Sequence, residues 1–371
     1  MTAQHPAPRP ARTAPAPEPP AVTAAEALTG YLQDRATDFL RSLRLYGAAG
    51  ADAEDAAEAA RLLRRSARRI AGVLHVYRPL TDTDGSDQLR TELLWLSGAL
   101  GHEHACAARL DRLRGALHRL SGAPAVTPGP APVRGVPAAG PWPGTGATGD
   151  GLTVGAARAG ALLERRLTLA RTRAHSAALT ALGSTRFHAV ADAAAVLASE
   201  VPLAPAAHGV LAREALPGLA EAAQRRLVEA VEALPLSVAG HPYNAEALAH
   251  GLAATPGADA PPAEARQDAP WHQVRRLVRL RRYAQEVLDE QRCAAYEPAL
   301  SVPLLHACQA LDRHRDAAEA AAAAANAART PRIAPATAYA LGILHADQRH
   351  EVEAARFAFG RVWQRMAVTG P

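Results

Sequence analysis

Two stretches of this chain, residues 61–78 and 272–282, carry dense arginine with no acid among them. A helix puts residues three, four and seven apart on one side. Arg61, Arg64, Arg65, Arg68 and Arg69 therefore share one face, and His272, Arg275, Arg276, Arg279 and Arg282 share another. Leu62, Leu63, Ile70 and Leu74 fall opposite the first group, as Val274, Leu277 and Val278 do opposite the second. Like charges at helical spacing cost a few tenths of a kcal/mol per pair. A solvated face normally interleaves acid and base, as Glu221 and Arg225 do here; neither basic stretch does so. The chemistry this pattern serves is the holding of an anion. Guanidinium is always charged and offers a planar fork of N–H donors suited to phosphate oxygens.

The elements that must carry these side chains are helices. Aromatic residues make up only 4% of the 371 residues, and the hydrophobic fraction of 49% leans on Ala and Leu, a mixture that favours helices packed through small side chains. Residues 1–22 form a Pro/Ala-rich tail, with seven prolines in the first twenty positions, a composition that stays disordered or polyproline-like. Helical periodicity then covers 23–46, 53–77 (closed by Pro79) and 86–120, where Gly98 and Gly101 offer a bend or a close approach. Residues 122–151, half of them Pro or Gly, read as a flexible linker. Beyond it, helices are expected at 154–182, 184–199, 206–234 (bent at Pro217), 244–253, 271–295, 299–328 and 336–368, with a loop at 255–270. No strand alternation is found. The expected fold is all-α, with one helical half at 23–121 and a second at 152–371, each built around one basic helix.

Several chemistries are disfavoured by the residues. A GxGxxG at Gly144–Gly149 lies in the linker with no strand before it. His102 and His104, two apart, point to opposite sides of a helix and cannot share a metal. Asp82, Asp84 and Asp87 hint at a calcium loop, but its twelfth position is Leu93; helix capping explains them better. All 41 Lys+Arg residues are Arg, so Walker-type lysines are absent. No carboxylate cluster for a catalytic metal is visible. No catalytic residue, cofactor or metal is therefore expected. Cys106, Cys293 and Cys308 have unrelated spacings and read as free, buried thiols of a reducing compartment. No run approaches the ~20 apolar residues of a membrane span, and no secretory signal opens the chain, so the expected location is cytoplasmic.

The basic helices bring a family into view. The chain resembles the CHAD domain, a conserved-histidine α-helical domain, over residues 23–368. That family carries a His-x-x-Arg-x-x-x-Arg-Arg-x-Arg helix followed by an aromatic residue, Arg, Pro and Leu. Here Arg64, Arg68 and Arg69 occupy the basic slots and Tyr77-Arg78-Pro79-Leu80 follows. The segment from Glu92 to Gly101 looks like the family's Glu-Leu-x-Trp-Leu-x-x-x-Leu-Gly, and Ser184-Thr-Arg186-Phe187 like its Ser-x-Arg-Tyr turn. The helix from His272 to Tyr283 is the closest match. The segment from Gln309 to Asp316 is similar to a later Gln-x-Leu-Gly-x-x-x-Asp motif. The chain departs from the pattern at Arg61, which stands in place of the first histidine, at Ala71, Ala105 and Ala107, and at His104 in place of an arginine.

The resemblance implies two four-helix bundles related by a pseudo-twofold, with basic side chains around a central cavity. It also implies binding of inorganic polyphosphate, often at polyphosphate granules. Polyphosphate has neither base edges nor apolar parts to read, so its receptor needs dense, geometrically tolerant positive charge. Arg171, Arg173 and Arg186 are secondary candidates for the same groove. The alternative is a basic helical scaffold or adaptor that meets nucleic acid or acidic proteins. The scarcity of aromatics argues against base stacking on single strands. The CYTH enzymatic domain often found beside CHAD domains needs a lysine motif that a lysine-free chain cannot carry.

Overall fold

In a computed structural model, residues 22–50, 52–120, 148–236, 263–291 and 298–369 are described. They are all-α. The helices are α1 (Ala24–Ala48), α2 (Ala53–Val76), α3 (Thr83–Ala99), α4 (Gly101–Leu120), α5 (Thr148–Leu182), α6 (Thr185–Ser199), the short α7 (Pro205–His208), α8 (Ala212–Glu232), α9 (Ala263–Gln291), α10 (Pro298–Ala328) and α11 (Pro335–Thr369). The only extended pairing among the described residues is two isolated bridges, Thr23 with Leu211 and Thr81 with Leu203. No helix among them is long and apolar enough to cross a membrane. The Pro/Ala-rich tail, the linker up to residue 147, the helix expected at 244–253 and Cys293 lie outside the described residues.

Local chemistry explains the boundaries. Thr23 and Glu26 form a reciprocal capping box at the start of α1, and Asp52 caps α2 through the amides of Glu54 and Asp55. Asp82 caps α3 by accepting from the Gly85 amide, while Asp87 pairs with Arg78 at 2.9 Å. Ser184 accepts from the Phe187 amide at 3.2 Å, so the Ser-x-Arg motif is the N-cap of α6.

Several sequence expectations need correction, beginning with the end of the expected linker, where residues 148–151 already belong to α5. The stretch 86–120 is two helices, broken at Leu100. The helix expected at 206–234 is interrupted at residues 209–211, because the chain there bonds to the segment before α1: the Ala24 amide donates to Val210 and the Ala212 amide to Val22, both at 2.9 Å, and Pro217 lies inside the helix that follows. The loop expected to run to residue 270 is already helical from Ala263, with Pro270 inside α9. A proline in a helix interior costs about 3 kcal/mol. Buried Asp268, clamped by Arg349 and Arg356 of α11, anchors the turn that carries it. Of the thiols, Cys308 is buried as expected, whereas Cys106 is only half-buried.

Two large cores share helices drawn from both sides of the linker. The first gathers α1, α2 and α3 with α6, the start of α8 and the end of α9; Tyr31, Phe39, Ile70, Leu93 and Val190 lie at its centre. The second joins α4 to α5, α10 and α11 through Leu113, Leu163, Ala320 and Leu341. A third, around Trp271 and Phe359, fixes the beginning of α9 against α8, α10 and α11. The basic helices α2 and α9 meet directly. Gly72 of α2 receives the ring of Tyr283, and a Cβ at that glycine would stand 2.3 Å from Tyr283 Cδ2. The buried Tyr77 hydroxyl donates to the Ala284 carbonyl at 3.2 Å a turn further on.

This crossing makes a prediction with a built-in contrast. Gly72→Ala must displace a buried ring and is expected to destabilise by about 1–3 kcal/mol. Gly98→Ala, whose Cβ meets nothing within 4 Å, is expected to stabilise by roughly 0.5–1 kcal/mol through helix propensity. Urea unfolding of the two variants beside the parent protein gives both signs.

Candidate functional site: an arginine cluster between α2, α9 and α10

The ten basic residues singled out from the sequence divide into three groups. Arg69 and Arg282 meet at one carboxylate. Glu286, one turn beyond Arg282 on α9, accepts from Arg69 at 2.7 and 3.2 Å, lies 3.5 Å from Arg282, and accepts from the Tyr31 hydroxyl at 3.1 Å. One carboxylate thus ties the two basic helices to each other and to α1. Arg282 also stands 5.2 Å over the Tyr283 ring. Arg61 is exposed and pairs with Glu58 on its own helix, and Arg65 is exposed. Arg276 is exposed on a different side of α9 from Arg275 and Arg279, and lines a separate cleft.

The remaining arginines converge. Arg64 and Arg68 of α2 come near Arg279 of α9 and Arg315 of α10, and Arg275 lies beside those same two arginines. Asp312 of α10 receives both α9 arginines: Arg275 donates to it at 2.5 Å, and Arg279 at 2.7 and 2.9 Å. Arg315 pairs with its neighbour Asp316. Glu319, next on that face, is taken up by Arg109 at 2.5 Å. Glu319 also lies 3.9 Å from Arg315, so with Arg109 six guanidiniums face the three carboxylates Asp312, Asp316 and Glu319, and three positive charges stay unmatched. Arg64 and Arg68 have no carboxylate partner among the described residues.

Arg64 reaches its place because α3 and α4 part at Leu100. Its guanidinium lies over Gly101, where an added Cβ would stand 2.6 Å from Nη2, and its Nε donates to the Ser97 carbonyl at 3.2 Å. Gly101 is therefore the close approach that the sequence suggested, while Gly98 has open space around it. Arg68 is less well provided for, since its Nε is buried without a hydrogen-bond partner. Such a donor costs about 1–3 kcal/mol.

The electrostatics bear the mark of a positive site. Burial first, and then Arg68, Arg315 and Arg279, pull the pKa of Arg64 down to about 10, so it remains charged at neutral pH. Arg68 and Arg275 are lowered too, burial being the largest cause for each. Burial alone would raise the pKa of Asp312, but Arg279 and Arg275 more than offset it and hold the carboxylate ionised. His272 is exposed at the edge of the cluster. Burial of part of its ring and the charge of Arg275 lower its pKa, against the pull of Asp268. His104 of α4 is lowered by burial and then by Arg61 and Arg64.

Sequence reasoning missed Arg315 and His104 as members of this group. Asp312, Arg315, Asp316 and Glu319 share one face of α10 by their spacing of three, four and seven, a signal present in the chain. His104 stands where the resembled family has an arginine. The secondary candidates lie elsewhere in the bonding scheme. Arg171 pairs with Glu103 at 3.4 Å. Arg186 forms a two-pronged bond to Glu92 at 2.6 and 3.1 Å and stacks 4.1 Å over Trp95, tying α6 to α3. Arg173 is exposed.

A family model described as CHAD domain matches residues 35–325, from within α1 to within α10, and so includes all of α2 and α9. Among solved structures, PptA from Streptomyces chartreusis is similar at 53% identity, with 92% of this chain and 99% of that chain covered and a TM-score of 0.71. No curated protein matches the chain.

The strain in the cluster is measurable. Arg68→Leu removes an unmatched charge and an unsatisfied buried donor, and is expected to raise stability by about 1 kcal/mol. The increase should be largest at low ionic strength, where guanidinium repulsion is least screened. Thermal unfolding across a salt series checks both the sign and the trend.

Proposed function

The chain belongs to the CHAD domain family, and on that premise we propose that it is a non-catalytic protein that binds inorganic polyphosphate through the cluster of Arg64, Arg68, Arg275, Arg279 and Arg315, with His272 at its edge. The observation that carries this reading is the unmatched charge. Three helices bring guanidiniums together, the carboxylates present neutralise only some of them, and two are left without an acid in a half-buried setting. A polyanion with no base edges and no apolar parts matches such a site. Each charge-assisted bond to a non-bridging oxygen is worth about 1.5–3 kcal/mol. Asp312 has a second role here, since it holds Arg275 and Arg279 in place while leaving further N–H groups of both for the ligand. The proposed place of action is the cytoplasm, at polyphosphate granules.

Arg64→Ala/Arg68→Ala is the test variant, because neither side chain serves a carboxylate in the fold. Titration with polyphosphate is expected to show a loss of roughly 100-fold or more, equivalent to two charge-assisted contacts. The slope of log K against log salt should also become shallower. Equal competition by DNA of matched charge would instead favour the nucleic-acid adaptor, and unchanged affinity in the variant would remove α2 from the site.

The histidines give a separate readout. Both His272 and His104 have pKa values lowered from 6.5 in the free protein, so both are mostly neutral at pH 7. The groups around them are Asp268, Arg275, Glu319 and Arg315 for the first, and Arg61, Arg64, Asp316 and Arg315 for the second. A bound anion raises an imidazole pKa. Binding therefore takes up protons, and affinity rises as pH falls through the range below 7. Calorimetry near pH 6 in buffers of different ionisation enthalpy is expected to show net proton uptake that shrinks in His272→Gln.

A further inference from the structure

Beyond Gly72, toward the C-terminus of α2, a cleft of about 910 Å³ opens between α2, α8 and the side of α9 that carries Arg276. Its chemistry differs from that of the arginine cluster. Leu219, Leu277, Leu280 and Val76 give it apolar walls, and His75, Arg226 and Arg276 line it with cationic or ionisable groups. Arg226 and Arg276 are exposed, and neither has a carboxylate partner among the described residues. Glu229, the acid among the lining residues, makes no ion pair with either. Arg78, which also lines the cleft, is engaged by Asp87. The positive field is felt by His75, whose pKa is lowered by burial and then by Arg90, Arg226 and Arg276.

An exposed arginine beside water needs no ligand to explain it. Two of them over an apolar hollow of this size are a different matter, because ligand pockets of ~300–1,000 Å³ typically combine apolar walls with a few convergent polar groups. Polyphosphate has nothing to place against leucines. A molecule with an acid head and a hydrocarbon or aromatic body satisfies both parts at once: the head meets the Arg226 and Arg276 forks and the body covers Leu219, Leu277 and Leu280. We infer that this cleft is a second anion site, distinct from the arginine cluster, for an amphiphilic organic anion with a carboxylate or phosphate monoester head. The inference stands apart from the polyphosphate reading, since Gly72 and the Tyr283 ring seated on it lie between the Arg64–Arg68 portion of α2 and the His75 portion. It also gives Arg276 a role that its neighbours on α9 do not share.

The test is calorimetric titration of the full chain, below micelle-forming concentrations, with decyl phosphate, decanoate, inorganic phosphate and decyltrimethylammonium. Decyl phosphate or decanoate is expected to saturate a single site, and whichever binds more tightly identifies the head group. Inorganic phosphate should bind roughly tenfold or more weakly, and the alkyl cation not at all. Arg226→Glu should weaken the alkyl anion roughly tenfold or more while leaving the thermal midpoint and polyphosphate affinity in place. Four results would each overturn the inference: no saturable binding of either alkyl anion, equal binding of inorganic phosphate or of the alkyl cation, alkyl-anion binding that ignores Arg226→Glu, or displacement by polyphosphate with both ligands weakened together in that variant. Alkyl-anion binding in a protein that fails to bind polyphosphate would uphold this site and defeat only the central one.

Discussion

The molecule depends on bringing two arginine-rich helices into contact without letting their charges drive them apart. Three features accomplish this. Gly72 admits the Tyr283 ring and so lets the α2 and α9 backbones approach. Glu286 accepts from Arg69 and lies beside Arg282, holding the helices together where they touch. Asp312, projecting from α10, accepts from Arg275 Nε and, through both of its oxygens, from Arg279 Nη2, holding that face of α9 in place. Arg64 and Arg68 are left as the members of the cluster with no ion pair among the described residues, while Arg275 still feels the charges of Arg279 and Arg315. Removing a half-buried carboxylate that serves two cations would leave both uncompensated, which is costlier than losing a fully exposed ion pair. These acids are therefore part of the site even though an anion would never touch them with advantage.

The same arrangement explains why the unmatched charge is tolerable. Arg64 is covered by Gly101 and bonded to the Ser97 carbonyl, so it gives up water for a backbone acceptor and not for a void. Arg68 lacks even that. Marginal stability of a few kcal/mol overall means one such residue is a sizeable sacrifice, and the packed cores on either side must offset it. They are placed to do so. The first core holds α2 along Leu63, Ile70 and Leu74, and the third holds α9 along Trp271, Val274 and Val278. Each basic helix is thus gripped on its apolar side by many contacts, leaving its cationic side free to remain unsatisfied.

Much of this was legible in the chain. Helical period, capping by the acidic segment that holds Asp82, and the apolar faces behind the arginines follow from spacing and residue type alone. The paired basic helices and the close approach at Gly101 also follow. What was not legible depends on atoms distant in sequence. That Arg69 serves Glu286 while Arg68 serves nothing cannot be read from two adjacent arginines, because their separation of ~100° around the helix is resolved only by what packs there. Pro270 reads as a loop until Asp268 is seen clamped by Arg349 and Arg356, some eighty residues away. The sharing of helices between the cores, with α6 joining α1–α3 and α4 joining α5, α10 and α11, has no local signature at all.

An arginine run is therefore a poor guide to a binding face until its carboxylates are located. Over α9 the four arginines 275, 276, 279 and 282 look equivalent by sequence, yet they meet three different settings: Asp312 for Arg275 and Arg279, Glu286 and a tyrosine ring for Arg282, and an apolar cleft for Arg276. One helix thereby supplies an anchor, part of the proposed polyanion site and the rim of an apolar hollow. Lysine would serve these three settings less well. Its compact ammonium has no plane to stack and no fork to divide between a structural acid and a ligand. Dividing the Arg275 and Arg279 forks between an internal carboxylate and the proposed external anion would let a site this positive be built from side chains that are already half committed to the fold.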